Sequence, residues 1–195
     1  MNERQEQWES RYAAVDRLWS EQPNDWLPEF AASWEPGRAL DLGCGEGADA
    51  VWLAERGWDV TGIDLSATAI ARMEAEADRR GLGERVHGVV LDVTREELPA
   101  GPFDLVAAFY VHGGPMPGSL DLIELLGRGA GLVAPGGRLL TAVHCVNPPW
   151  HGHHARTYTP DELLSGLSGA TRGWQVEAGR ERWREVTGPD GEAGR

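Results

Sequence analysis

Lysine is absent from this 195-residue chain: all 18 basic residues are arginine. Catalysis through an ε-amino group is therefore excluded. The arginine usage reads as the codon bias of a GC-rich genome and not as a functional device. Cysteine is scarce as well, with only Cys44 and Cys145. Two scattered thiols make no disulfide framework, and a reducing cytoplasm is the expected compartment. No run of about 18 apolar residues occurs, so no membrane span is expected. The polar N-terminus carries no signal-peptide core. Positive charge is in deficit: 31 acidic residues against 18 basic leave a net charge of −13. A nucleic-acid substrate calls for a basic face, so the charge argues for a small-molecule partner instead.

What is present is the composition of one globular domain, with 41% hydrophobic and 25% charged residues. Nine tryptophans are many for this length, and Trp8, Trp19, Trp26 and Trp34 all precede the first strand pattern. The spacing of Trp8, Tyr12, Val15 and Trp19 predicts an amphipathic helix over residues 5–20, and a second short helix follows over 26–34. These tryptophans either pack on the main sheet or form a lid over a ligand.

The chain is organised around Arg38-Ala39-Leu40-Asp41-Leu42-Gly43-Cys44-Gly45-Glu46-Gly47-Ala48. A short apolar strand runs into three alternating glycines, and a helical pattern begins at once. Such a loop turns sharply and lets a ligand approach the backbone, which places a nucleotide-type site at the carboxyl end of a first parallel strand. Gly43, Gly45 and Ala48 also satisfy the dinucleotide fingerprint, so spacing alone does not choose the ligand. Charge does. Asp41 and Glu46 would repel a pyrophosphate, whereas S-adenosylmethionine carries an ammonium and a sulfonium and no phosphate.

Further strands are predicted over residues 58–64, 86–91, 103–109 and 138–143, with helices over 66–80 and 119–134 between them. Ser66 is the expected N-cap and Gly81 the stop of the first of these helices. Pro135-Gly136-Gly137 is expected to turn the second into the fifth strand. Strand and helix thus alternate with five strand ends on one edge: a doubly wound, mostly parallel Rossmann-like α/β sheet. Asp64 ends the second strand where it can accept both ribose hydroxyls. Asp92 ends the third, where it can either accept an adenine amino group while Val93 packs on the ring or cap the next turn. Beyond a loop at 147–154, Thr159 starts a short helix, and residues 174–186 read as a sixth strand.

Asp41-Leu42-Gly43-Cys44-Gly45-Glu46-Gly47, the strand-end Asp64, Leu91-Asp92-Val93 and Ala134-Pro135-Gly136-Gly137-Arg138 together resemble the class I S-adenosylmethionine-dependent methyltransferases. Within that family the chain is similar to the small bacterial tellurite-resistance and thiopurine (thiol) methyltransferases. Trp19-Ser20, Pro23-Asn24, Phe109-Tyr110-Val111-His112 and Tyr158-Thr159-Pro160 carry this narrower likeness. The resemblance implies three parts: a helical lid over 1–35, a cofactor core over 38–145, and an acceptor-side segment over 146–195. It also implies a seven-stranded sheet; the sequence ends where the seventh strand is expected to begin, so either the chain is cut short, the sheet has six strands, or its edge is completed otherwise. For the cofactor it implies Gly43, Gly45 and Gly47 at the methionine and ribose, with Asp41 near the ammonium. Asp64 would hold the ribose, Leu65 would cover adenine, Asp92 and Val93 would bind its edge, and Phe109 would close the methionine pocket.

Methyl transfer from a sulfonium is an in-line displacement, so alignment is the main requirement. A thiolate or selenolate needs little else; an oxygen or nitrogen nucleophile can need a base, and histidine has a suitable pKa. His112 and His144 follow strand ends that face the site, with Tyr110 beside them. His151, His153 and His154 form a cluster, but no cysteine or acid stands at partner spacing, so no metal is expected. Trp150, His154, Arg156 and Tyr158 instead make an acceptor-binding flap or an inert loop, with Trp19 and Trp26 as further acceptor contacts. A same-fold enzyme using S-adenosylmethionine for cyclisation, a non-catalytic binding module and an NAD oxidoreductase stand as alternatives.

Overall fold

The computed structural model describes residues 3–113, 119–147, 155–183, 186–187 and 193–194. Five strands form one sheet: β1 (Arg38–Leu42), β2 (Asp59–Asp64), β3 (Val86–Val90), β4 (Phe103–Phe109) and β5 (Val133–Ala142). Their order is β3-β2-β1-β4-β5, and every pairing is parallel. The order of succession reverses between β1 and β4, from β1-β2-β3 on one side to β4-β5 on the other, which opens a crevice at their carboxyl ends.

Alternation along the strands sorts two cores. Ala39, Leu105, Ala107 and Phe109 face one side with Val60, Leu53 and Met73. Leu40, Leu42, Val106 and Ala108 face the other with Ile63, Leu122, Leu125 and Leu126. Each fully buried leucine here contributes about 1.5–3 kcal/mol, so helices on both faces are needed to cover the sheet. They are α2 (Trp26–Ala31), α3 (Ala48–Ala54) and α4 (Ala67–Arg79) on the first side, and α5 (Leu122–Ala130) and α6 (Pro160–Leu167) on the second. The Ser66 hydroxyl caps α4 by accepting from Ala69 N, and Thr159 with Glu162 closes a capping box on α6.

Four expectations need correction. The first helix, α1 (Glu3–Ala13), stops well short of residue 20. Arg72 draws the carbonyls of Tyr12 and Val15 to its guanidinium, and Glu46 takes the amides of Leu18 and Trp19, so the chain folds back. The helix expected over 119–134 is only α5, capped by the Asp121 side chain. The fifth strand begins earlier than its hydrophobic run. Val133 pairs with Phe103 and Arg138 with Leu105, so Pro135-Gly136-Gly137 forms an irregularity inside β5, with Gly136 at φ 81°. Proline is tolerated there because β5 lies at the end of the strand order.

Over the described residues 174–183 the expected sixth strand is not formed. Trp174 and Val176 are exposed, and residues 174–183 lie along the molecule as irregular chain. Arg180 and Arg182 pair with Glu29 of α2, and Glu177 lies 3.4 Å from Arg138. Ion pairs and aromatic faces hold the segment where a ladder was expected. Two short strands, β6 (Val186–Thr187) and β7 (Ala193–Gly194), pair antiparallel with each other and not with the main sheet. Among the described residues that sheet therefore has five strands. No helix among them is long and apolar enough to cross a membrane.

Candidate active site

The loop between β1 and α3 needs its glycines. Gly43, Gly45 and Gly47 have φ of 74°, 54° and 81°, the left-handed region. A Cβ on Gly43 would stand 2.7 Å from Val111 Cγ2, and one on Gly45 would stand 3.1 Å from Tyr12 Oη. The loop is pinned from below: Gly43 N and Cys44 N both donate to Ile63 O, at 2.8 and 2.9 Å. It borders a crevice of about 1920 Å³ that runs along the strand ends and down the length of β5 beside residues 173–183.

Three carboxylates gather at this loop. Asp41 is 2% exposed, and among the described residues its Oδ2 has no hydrogen-bond partner. Burial holds its pKa well above the usual carboxylate range, and the charges of Asp49 and Asp64 add to the effect. Asp49, on the first turn of α3, accepts from Asn24 N at 2.6 Å and is pushed up to about 6 by burial. Asp64 accepts from Gly45 N at 3.0 Å and Ser66 N at 2.9 Å; burial raises its pKa against the pull of those amides. Crowded acids with raised pKa values are the complement of a cation. A diphosphate would meet repulsion here. The set of carboxylates therefore fits S-adenosylmethionine, with its ammonium and sulfonium.

Glu46 does not belong to that set, although its position in the loop counted toward the charge argument. Its carboxylate is 3% exposed and is taken up by Arg72 Nη1 at 2.7 Å and by the amides of Leu18 and Trp19. It anchors the returning N-terminal chain over the loop.

At the far end of the crevice Leu65, Leu91 and Val93 supply apolar walls. Asp92 lies just behind them, 6% exposed, and its Oδ1 accepts from Arg4 Nη2 at 2.5 Å and Thr94 Oγ1 at 2.6 Å. Gln5 reaches Leu65 O at 3.3 Å, so α1 roofs this end. Phe109, the last residue of β4, lines the crevice beside the switch in strand order.

Past Phe109 the chain takes an unusual conformation. Tyr110 has φ 51°, a left-handed value that costs a non-glycine residue on the order of 1 kcal/mol. The His112 and His144 rings stack, with centroids 5.0 Å apart and planes 4° apart, and Tyr110 stands 4.6 Å from His144. All three line the crevice, so the structure brings together the residues expected to be catalytic.

Of the expected acceptor contacts, Trp19 lies over Gly45 with its Nε1 donating to Tyr12 Oη at 2.9 Å. Trp26 stacks with Phe30 and carries Arg182 at 4.1 Å over its ring. Tyr158 lines the crevice at 2% exposure. Arg156 stands outside the lining, half exposed, over the Tyr158 ring and 4.0 Å from Asp121. Trp150 and His154 lie outside the described residues. Asp49 went unnoticed in the sequence, although its place two residues after Gly47 was the signal. Arg72 gave none, because its partners lie 26 and about 60 residues away in sequence.

A family model described as a methyltransferase domain matches residues 39–137. The Ribosomal RNA small subunit methyltransferase C of Alcanivorax borkumensis is 44% identical over 54 residues, covering 28% of this chain and 17% of that protein. The Ubiquinone biosynthesis O-methyltransferase of Bordetella avium is 30% identical over 125 residues, covering 64% and 49%. Among solved structures, the [4+2]-cyclase SpnF superposes with a TM-score of 0.59 at 25% identity, covering 75% of this chain and 55% of that one. The chain spans half or less of the length of the two curated relatives. The narrower likeness to tellurite-resistance and thiopurine methyltransferases still rests on its short motifs alone. With the glycine loop, the strand-end acids and the parallel sheet in agreement with the matched model, the chain belongs to the class I S-adenosylmethionine-dependent methyltransferases.

Proposed function

We propose that this protein transfers a methyl group from S-adenosylmethionine to a small-molecule acceptor held between Tyr110, His112, His144 and the segments that flank them. The observation that carries this reading is the group of Asp41, Asp49 and Asp64 around the glycine loop, a charge pattern suited to a cationic nucleoside. When bound, the cofactor supplies an electrophilic methyl carbon whose bond to sulfur breaks as the acceptor attacks in line.

The chain's own part is alignment and proton handling. Asp64 would receive the ribose hydroxyls, Asp41 and Asp49 would neutralise the ammonium, and Leu65, Asp92 and Val93 would form the adenine end. His112 or His144 would take the proton of a neutral acceptor, and the stacked partner ring would keep it oriented. A thiolate needs no such base, so the paired imidazoles favour oxygen or nitrogen over the sulfur acceptors of the narrower resemblance. The relative named as an O-methyltransferase points the same way. The net charge of −13 supports a small molecule over nucleic acid, despite the ribosomal RNA relative.

A second reading, S-adenosylmethionine-binding without methyl transfer, is favoured by the likeness to a cyclase. Product balance separates the two. Methyl transfer requires one S-adenosylhomocysteine for each acceptor consumed; acceptor turnover without S-adenosylhomocysteine supports the second reading.

A further inference from the structure

We propose that Arg11 and the Tyr12 hydroxyl, on the last turn of α1, form an anion clamp beside Gly45 that receives the carboxylate at the methionyl end of the cofactor. The inference rests on the S-adenosylmethionine reading and assigns residues to the one charge of that ligand which the three acids cannot hold.

S-adenosylmethionine carries a carboxylate besides its ammonium and sulfonium. Asp41, Asp49 and Asp64 attract the cations and repel this group. A glycine-rich turn can take an anion on its free amides. Here those amides are occupied: Gly43 N and Cys44 N donate to Ile63 O, Gly45 N donates to Asp64 Oδ2, and Gly47 N donates to Cys44 O. The carboxylate therefore needs donors from outside the loop.

Among the described residues six arginines line the crevice, and five of them face acids. Arg4 and Arg95 stand at Asp92, Arg138 at Glu177, and Arg180 and Arg182 at Glu29. Arg11 is the sixth, and it has no hydrogen bond or ion pair among those residues. Its guanidinium lies 4.5 Å over the Trp8 ring and 6.0 Å from the centre of the Trp19 ring, which itself covers Gly45. Indole faces hold a guanidinium by cation–π attraction and leave the N–H groups at its edge for a planar carboxylate.

Tyr12 supplies the second donor. It lines the crevice, and its Oη stands 3.1 Å from the place a Gly45 Cβ would take. Trp19 Nε1 donates to that oxygen at 2.9 Å. An indole N–H only donates, so the phenol accepts in this bond and keeps its own proton to give. Among the described residues no acceptor takes that proton. Burial and the charge of Asp64 push the pKa of the phenol further up, which keeps it in the donating form. A ligand oxygen beside Gly45 would satisfy a donor that is otherwise buried without an acceptor.

The test is calorimetric titration of wild type, Arg11→Gln and Tyr12→Phe with two ligands. One is S-adenosylhomocysteine; the other is its decarboxylated analogue, which keeps the adenine, ribose, sulfur and amine. Wild type is expected to prefer S-adenosylhomocysteine by about 10–100-fold, the scale of charge-assisted hydrogen bonds. Arg11→Gln should weaken S-adenosylhomocysteine about tenfold and Tyr12→Phe about threefold, with the affinity for the analogue unchanged in both. Arg11 is half-buried on a surface helix, so its variant reads the clamp even if loss of the Tyr12 hydroxyl disturbs Trp19. Equal weakening of both ligands in Arg11→Gln would mean that the guanidinium only packs on the tryptophans, which overturns the proposal. A wild type that binds both ligands equally overturns it too. No heat from either ligand with wild type overturns the S-adenosylmethionine reading itself, and the clamp with it.

Discussion

Arg72 on α4 and Glu46 in the glycine loop meet at 2.7 Å, and both partners of this pair hold the returning backbone of residues 12–19 over the glycine loop. The guanidinium also takes the carbonyls of Tyr12 and Val15, while the carboxylate takes the amides of Leu18 and Trp19. The Glu46 side chain is 1% exposed and that of Arg72 26%, so the carboxylate has little access to water if its partner is removed.

Arg72→Ala should therefore destabilise the protein by about 3 kcal/mol, the scale for leaving one member of a buried pair uncompensated. Chemical denaturation measures this. Proteolysis of the native state should at the same time shift toward residues 14–20. A loss below 1 kcal/mol would mean that the pair is a surface contact and that the fold-back has another cause.

The acids at the loop make the free protein sensitive to pH in a defined direction. Asp49 has its pKa raised from 3.8 to about 6, so the fold holds that proton more tightly than the unfolded chain does. The resulting contribution is fully present below about pH 4 and is lost as pH rises through 6. Asp49→Asn should remove this loss. Relative to wild type, the variant should gain stability between pH 4 and 6.5, by on the order of 2 kcal/mol. The affinity for cationic S-adenosylmethionine should move oppositely. It tightens over the same interval in wild type, as Asp49 ionises, and changes little in the variant.

The histidine pair carries a separate expectation. His112→Ala and His144→Ala should each reduce kcat, one of them by about 10²–10⁴, the range for a general base, with S-adenosylhomocysteine affinity near wild type. The variant with the large loss identifies the proton acceptor. Equal, small losses in both variants would assign the stacked rings to packing.

How much of this was legible in the sequence depends on how local each feature is. The glycine loop, Asp64 and the Ser66 cap are set by residues within a few positions of one another, and the structure has them where the sequence put them. The central sheet was readable because its strands are short apolar runs bounded by turns. The end of α1 was not, since Trp8, Tyr12, Val15 and Trp19 keep helical spacing past the point where Arg72 and Glu46 take over the backbone. Residues 174–183 failed for the same reason: an extended apolar pattern is outweighed by Arg180 and Arg182 meeting Glu29, about 150 residues away in sequence. Glu46 looked like a ligand contact because its partner was out of sight. Asp92 read as an adenine contact and stands at the crevice end, but its pairing with Arg4 spans 88 positions and left no local mark.

The central claim is that carboxylates at the strand ends hold a cationic, phosphate-free nucleoside. Calorimetric titration of the wild-type protein and of Asp64→Ala, with S-adenosylhomocysteine and with NAD, tests it most directly. The expected outcome is one molecule of S-adenosylhomocysteine bound per chain, weakened by about 1–3 kcal/mol in the variant, and no heat from NAD. Tight binding of NAD with no response to S-adenosylhomocysteine, or an affinity indifferent to the loss of Asp64, would contradict it.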